Sequence, residues 1–509
     1  MIFHNLRCHE RPLDATHVIQ VARQWHGGGR NVTGDDKTFP PRPKQNRAVR
    51  PLRAMTRQGF APADAAREAE AARTPGLPAR IAAAAILADI LQGGHRLDEC
   101  FSAQAVPSRL TGLDPRDIAL TRSIVTVALR RLGVIRYVLA ELLEKGLPRQ
   151  AGRLEQTLIS AAAQLLFLES TADHAVVDLA VRAVRLEPKS AGFAGLVNGL
   201  LRNLLRRRDE FLAIAAQGEH DAPPWLSQRW RQRYGAETAR EIIAAQMREP
   251  PLDLTVKSDP QLWAARLDGV ALPTGSVRLR SRDAIIDLPG YAEGAWWVQD
   301  AAAALPAWLL NAQPGERILD MCAAPGGKTA QLALAGAEVV ALDRSAERLK
   351  LLAANLERLN LRADIAVGDA AGHQSSPFDA ILLDAPCSAT GTIRRHPDVA
   401  WTKKPGDIET LAALQGKMLA RAATLTRPGG RIVYCTCSLE PEEGEMQIAQ
   451  FLRRNPEFRR DAVTPADGVA AEFISADGDL RTLPSFWRDA DPRLSGVDGF
   501  FAARLVRRG

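Results

Sequence analysis

The run Ile318-Leu319-Asp320-Met321-Cys322-Ala323-Ala324-Pro325-Gly326-Gly327-Lys328-Thr329 decides how the second half of this chain is read. Apolar residues lead to an acid, then to small residues and a glycine pair, then to a helix-forming stretch. The pattern predicts a strand that turns tightly into a helix, bringing backbone N–H groups to a ligand at the helix N-terminus. It is not a P-loop, because the glycine that motif places five positions before Gly327 is Cys322 here. It is not the dinucleotide fingerprint either, since no G-x-G-x-x-G is present.

Outward from this turn, apolar runs recur at Val339–Asp343, Ile365–Val367, Ala380–Asp384 and Ile432–Cys435. Helical stretches lie between them, as at Ala346–Arg358 and Asp407–Thr424. Such alternation predicts βαβ units and a parallel sheet covered on both faces, with ligands outside the carboxyl ends of its strands. Asp343, ending the second strand, is placed to bond the two hydroxyls of a ribose. In Gly368-Asp369-Ala370, after the third strand, the carboxylate can accept from the exocyclic amine of an adenine. A nucleoside site without phosphate recognition points to S-adenosylmethionine. The predicted cofactor-binding residues are Cys322, Ala323, Ala324, Pro325, Gly326, Gly327, Lys328, Asp343, Asp369 and Asp384.

Two further motifs close the fourth and fifth strands: Asp384-Ala385-Pro386-Cys387-Ser388 and Tyr434-Cys435-Thr436-Cys437-Ser438. Adjacent parallel strands would present Cys387, Cys437 and Asp384 to one cleft. With D-x-C-A-A-P-G-G-K-T, D-A-P-C-S and T-C-S unbroken and in order, the chain resembles the RNA cytosine-C5 methyltransferases of the Nol1/Nop2/Sun type. Thr390-Gly391-Thr392, Arg394-Arg395-His396-Pro397-Asp398 and Asp498-Gly499-Phe500-Phe501-Ala502 match that family as well. The resemblance spans about residues 80–509.

Cytosine C5 is too poor a nucleophile to attack a methyl sulfonium unaided, and a thiolate adding at C6 makes C5 enamine-like. The resemblance implies Cys437 as that nucleophile. It implies Asp384 as the group that bonds the base and supplies a proton to N3, and Cys387 as the group that assists loss of the C5 proton and release of Cys437. Lys328 could add positive field near the thiolates or form a structural salt bridge. Cys435, one residue from Cys437 on a strand, faces the other side and is expected in the core. A zinc site at Cys435 and Cys437 is disfavoured, because structural sites use C-x₂₋₄-C with further ligands. His396 reads as part of a substrate loop rather than a general base.

The first half of the chain reads differently. From Ala79 to about Ala216 it shows helical periodicity only, with Ile86/Leu87/Ile90/Leu91, Leu158/Ala162/Leu165/Leu166 and Val197/Leu200/Leu201/Leu204/Leu205 each on one face. Asp114 and Pro115 mark a helix start. Arg202, Arg206, Arg207 and Arg208 are expected on one last helix, as dipole-complementing cations or as a phosphate-contacting patch. Asp117–Thr121 and Gly195–Asn203 look like a NusB-type RNA-binding domain. Joined to this methyltransferase, such a domain implies 16S ribosomal RNA as partner, free or in early assembly. The resemblance points to cytosine 967 of that RNA. The rival readings are a transfer RNA substrate and a non-catalytic RNA-binding factor.

Four segments result: a basic extension over 1–76, a NusB-like helical domain over 77–216, a small α+β module over 217–298 and a Rossmann-like α/β methyltransferase domain over 299–509. The module is read from a helix at Ala236–Met247 and strand-like runs at Leu252–Val256 and Val277–Leu279. Composition agrees with a globular protein: of 509 residues 46% are hydrophobic and 25% charged. No apolar run approaches the ~18 residues of a membrane span, no secretory signal is expected from residues 1–11, and six cysteines predict no disulfide framework. A cytoplasmic monomer without metal is expected. The net charge of +7 resides in residues 1–80, which hold 14 Lys+Arg against 7 Asp+Glu; the rest carries 52 of each. That stretch, with Gly27–Gly29 and Pro40–Pro43, reads as a disordered tail able to hold phosphates.

Overall fold

The computed structural model describes residues 74–102, 108–169, 172–281 and 284–509, so the tail predicted over 1–76 lies almost wholly outside the described residues. The chain divides into two compact units. Of the described residues, the first takes those from 74 up to Ala85, Leu110–Val125 and Val134–Phe211; the second takes those within Ile86–Arg109, Thr126–Gly133 and Leu212–Gly509.

The helices of the first half are α1 (Leu77–Leu91), α2 (Pro115–Arg130), α3 (Leu132–Leu142), α4 (Leu154–Phe167), α5 (Asp173–Leu186), α6 (Ala194–Arg206) and α7 (Arg208–Gln217). Helix α2 starts as its sequence predicts: Pro115 is the first residue and Asp114 Oδ1 accepts from Asp117 N at 2.8 Å. Helix α4 is buried from Gln156 to Leu166, its polar Gln156, Thr157, Ser160 and Gln164 included. Helix α6 buries Val197, Leu200, Leu201 and Leu204. The arginine run does not share one helix. The backbone leaves helical geometry at Arg207 (φ −105°, ψ 17°), so only Arg202 and Arg206 belong to α6. Arg207 pairs with Glu210, and Arg208, opening α7, pairs with Asp173.

The second unit contains helices α8 (Pro224–Tyr234) and α9 (Ala236–Gln246), then strands β1 (Asp253–Val256), β2 (Gly269–Ala271), β3 (Ser276–Leu279) and β4 (Trp296–Val298) with helix α10 (Pro260–Arg266) after β1. These strands form an antiparallel sheet in the order β2-β3-β1-β4. A buried pair ties it inward: Arg278 bonds Asp253 through Nε (2.7 Å) and Nη2 (2.8 Å), and Asp253 also accepts from Ala301 N.

The large sheet is built from β5 (Arg317–Met321), β6 (Glu338–Asp343), β7 (Asp364–Val367), β8 (Phe378–Asp384), β9 (Thr426–Thr436), β10 (Phe458–Arg460), β11 (Leu480–Thr482) and β12 (Phe500–Arg507). Its order is β10-β12-β9-β8-β5-β6-β7, with β11 on β12. The five strands from β7 to β9 are parallel as expected. Beyond them β12 runs antiparallel between β9 and β10, so the sheet as a whole is mixed. The alternating apolar runs never reached that edge, where short strands and turns replace helical crossovers. Strand β9 also begins six residues before its apolar run, because Pro428-Gly429-Gly430 carries no apolar signal.

Successive strand residues face opposite layers. Leu319, Met321, Ile381, Leu383, Ile432 and Tyr434 meet α13 (Pro405–Leu425) and α14 (Glu445–Arg454) through Met418, Leu419, Ile448 and Phe451. Ile318, Val339, Ala380, Leu382, Val433 and Cys435 meet α11 (Ala301–Leu310) and α12 (Gly327–Leu334) through Leu305, Leu309 and Leu332. The three-layer sandwich leaves the carboxyl ends of β5, β6, β8 and β9 as one rim. Strand order reverses at β5, and such a switch point opens a crevice there.

Candidate active site

At the end of β5 the chain turns left-handed at Cys322 (φ 66°) and again at Gly326 (φ 101°), which caps α12. Glycine is the residue that takes the second conformation without strain. Ala323, Ala324 and Gly326 are buried and Pro325 is exposed. Burial, then the Asp384 and Asp343 carboxylates, pushes the Cys322 thiol up to about 12, so it stays protonated.

Asp343, at the end of β6, is buried and accepts from Ala324 N (3.2 Å) and Ser345 N (2.9 Å). Arg348 pairs with the same carboxylate at 3.3 Å and donates to Ala324 O. Asp369, beyond β7, is exposed and accepts from Ala371 N at 3.1 Å. Asp320 is wholly buried; Oδ2 accepts from Thr329 at 2.6 Å while Oδ1 has no hydrogen-bond partner. Burial first, and the neighbouring Asp384 and Asp343, push its carboxyl up to about 7.

This donor set fits S-adenosylmethionine. The rim is acidic, and two of its cations are paired, Lys328 with Asp384 and Arg348 with Asp343. A nucleoside carrying a sulfonium and an ammonium finds carboxylates there at Asp343, Asp369 and Asp384.

The two predicted cysteines meet. Cys387 Sγ and Cys437 Sγ are 3.4 Å apart, both half-buried. Cys387's thiol is pushed well above its ordinary range, first by the hydrogen bond with Cys437, then by burial. Asp384 Oδ2 is bonded to Lys328 Nζ at 2.8 Å. Lys328 also stands 5.1 Å from the Phe500 ring, and the charges of Asp384, Cys435 and Cys437 help hold its proton against burial. Of the two readings of Lys328, the salt bridge is the one the geometry shows. Cys435 is buried in the core as expected, yet its Sγ also lies 3.5 Å from Asp384 Oδ1. Asp384 thus has Cys435 as its sulfur partner.

Sequence reasoning missed what holds these loops. Glu443 is fully buried; Oε1 accepts from Ser388 N (2.9 Å) and Gln415 Nε2 (3.0 Å), and Oε2 accepts from Ser438 Oγ (2.6 Å) and Ser388 Oγ. Thr390-Gly391-Thr392 is a backbone brace: Gly391 N donates to Cys437 O (3.0 Å) and Gly499 N to Gly391 O (2.8 Å). Arg394, 2% exposed, is bonded to Asp300 and Asp498, and Arg395 to Asp498. His396 Nδ1 lies 3.2 Å from Asp98, an ion-pair geometry and not that of a base in the cleft. No periodicity marks these residues; the sole signal was their place beside the motifs. Among the described residues no His/Cys/Asp/Glu cluster could hold a metal ion, and no helix is long and apolar enough to cross a membrane.

Comparisons with known proteins show the family. The family described as 16S rRNA methyltransferase RsmB/F matches residues 307–506, and the NusB family matches residues 77–206. Ribosomal RNA small subunit methyltransferase B of Erwinia tasmaniensis is 34% identical over 452 residues, 84% of this chain and 98% of its own. The protein of that name from Vibrio cholerae is 36% identical over 407 residues, 76% of this chain and 92% of its own. A solved structure titled "Crystal Structure of PH0851" shares the fold, with a TM-score of 0.66 at 22% identity over 84% of this chain and 98% of that one. The chain belongs to the ribosomal RNA small subunit methyltransferase B family: a NusB domain and a Rossmann-like methyltransferase domain that methylate ribosomal RNA.

Proposed function

We propose that this chain methylates C5 of one cytosine in 16S ribosomal RNA, cytosine 967 by family resemblance, through a bond between Cys437 and C6. The observation that carries the reading is the meeting of Cys387 and Cys437 at 3.4 Å beside the Asp384–Lys328 pair, on neighbouring strand ends. S-adenosylmethionine supplies an activated methyl group when bound at Asp343, Asp369 and the 322–328 loop. The target base leaves its stack to reach Cys437, at a cost of roughly a few kcal/mol that is lower in a loop or bulge.

Cys437 attacks C6 as thiolate, forming the C–S bond while the C5–C6 π electrons become nucleophilic at C5. Asp384 bonds the base edge and passes N3 a proton drawn from the Asp384–Lys328 pair, so no negative charge builds on the ring. Once Cys437 has become a thioether, its hydrogen bond and charge no longer press on Cys387, the two largest electrostatic causes of that thiol's raised pKa besides burial. After C5 has gained the methyl group, Cys387, its own proton given up to solvent, can act as thiolate and take the C5 proton. Its departure restores the C5–C6 double bond and expels Cys437, and N3 returns its proton to the pair.

Incubating the purified chain with unmodified 16S RNA and the cofactor, then bisulfite sequencing, tests the substrate assignment. One protected cytosine is expected at position 967. Protection elsewhere in 16S RNA would move the site; protection in transfer RNA alone would overturn the ribosomal reading.

A further inference from the structure

Ser388 follows Cys387 and Ser438 follows Cys437, and both serines converge on one buried carboxylate from a different turn. The two hydroxyls are 3.1 Å from each other. Four donors saturate the roughly four acceptor sites of a carboxylate, and Glu443 is 0% exposed, so it reaches neither RNA nor cofactor. Its own turn is pinned by Tyr434 Oη (2.8 Å) and Thr436 Oγ1 (3.2 Å), which donate to Glu443 O. The carboxylate is therefore fixed to β9, and through Ser388 it fixes the loop after β8.

We infer that Glu443 is a positioning residue for methyl transfer: by clamping Ser388 and Ser438 it sets the register of the two cysteine loops and hence the Cys387–Cys437 separation. This rests on the roles proposed above for those cysteines. A reacting group misplaced by about 1 Å can cost on the order of 100-fold in rate. Glutamine fills the same space but cannot reproduce the clamp. Its amide would have to donate to the hydroxyls, and Ser438 Oγ already accepts from Glu440 N at 3.0 Å. Reversing those hydroxyls loosens both loops together.

The test uses the full chain and two readouts. The first is steady-state methylation of 16S RNA, separating kcat from KM. The second is the rate at which an azodicarboxamide oxidant joins Cys387 to Cys437, taking two electrons and two protons from the thiols, read by peptide mapping. Glu443→Gln should lower kcat tenfold or more, leave the RNA KM and the cofactor Kd within twofold, and slow the cross-link by a similar factor. Glu443→Asp, which keeps the charge, should restore part of both. Wild-type kcat in Glu443→Gln overturns the inference. So does a lost kcat with unchanged cross-linking, because the register would then be intact. Should Glu443→Gln fail to fold, Ser388→Ala and Ser438→Ala each remove one clamp bond and must show the same paired loss. Failure of the covalent reading is distinct: Cys387→Ala would trap no RNA, while the cross-linking result would stand.

Discussion

Asp343 and Asp320 occupy neighbouring strand ends yet should respond in opposite ways to removal. Asp343 organises the cofactor loop through Ala324 N and Ser345 N and is ion-paired. Asp343→Ala should therefore raise the S-adenosylmethionine Kd at least tenfold while RNA affinity stays within twofold; calorimetry showing unchanged cofactor affinity would contradict its placement. Asp320 is a carboxyl that burial holds protonated up to about pH 7. Its folded-state pKa lies above the unfolded value of 3.8, so between those limits the native state binds the extra proton. Its contribution to stability is then fully present below about pH 4 and is lost as pH rises towards 7, with a limiting slope of about 1.4 kcal/mol per pH unit. Asp320→Asn cannot titrate, so its stability relative to wild type should climb across that window and level off above it. Parallel denaturation midpoints for the two proteins from pH 4 to 7 would show that Asp320 is ionised throughout.

Elements place these residues, and their legibility differs. The strands ending at Asp343 and Asp384 stand in the sequence as continuous apolar runs, because both their faces are covered, and the helix Ala346–Arg358 as apolar periodicity, because it buries Leu349, Leu352 and Leu356 on one face. The D-A-P-C-S and T-C-S motifs were equally legible, being contiguous. The clamp was not: Glu443 reaches Ser388 across 55 residues of sequence, and Arg394 reaches Asp498 across 104, distances over which no local pattern acts. The direction of the edge strand was not legible either, since an apolar run does not say which way its strand runs. Gly391 shows how tightly non-local elements meet here. A Cβ on it would lie 1.9 Å from Gly499 O and 2.6 Å from its carbonyl carbon. Gly391→Ala must separate those backbones and loosen Cys437 O from Gly391 N. Overpacking of this kind costs on the order of 1–3 kcal/mol. A lowered melting temperature with reduced kcat is expected, and wild-type values for both would refute the brace.

In the whole molecule, charge and chemistry are divided along the chain. The excess of +7 belongs to residues 1–80, whereas the catalytic rim is acidic and suits a cationic methyl donor. The NusB region brings RNA binding, and the mixed sheet brings two cysteines to one point. Whether those cysteines divide the labour as proposed is decided by one measurement on the full chain with 16S RNA and S-adenosylmethionine: denaturing electrophoresis for a covalent protein–RNA complex. Cys387→Ala, keeping the nucleophile but lacking the group that assists its release, should trap methylated RNA in a complex that requires both RNA and cofactor. Cys437→Ala should trap none and methylate none. A complex from Cys437→Ala but not from Cys387→Ala would reverse the two roles, and a complex from neither would contradict the release role of Cys387.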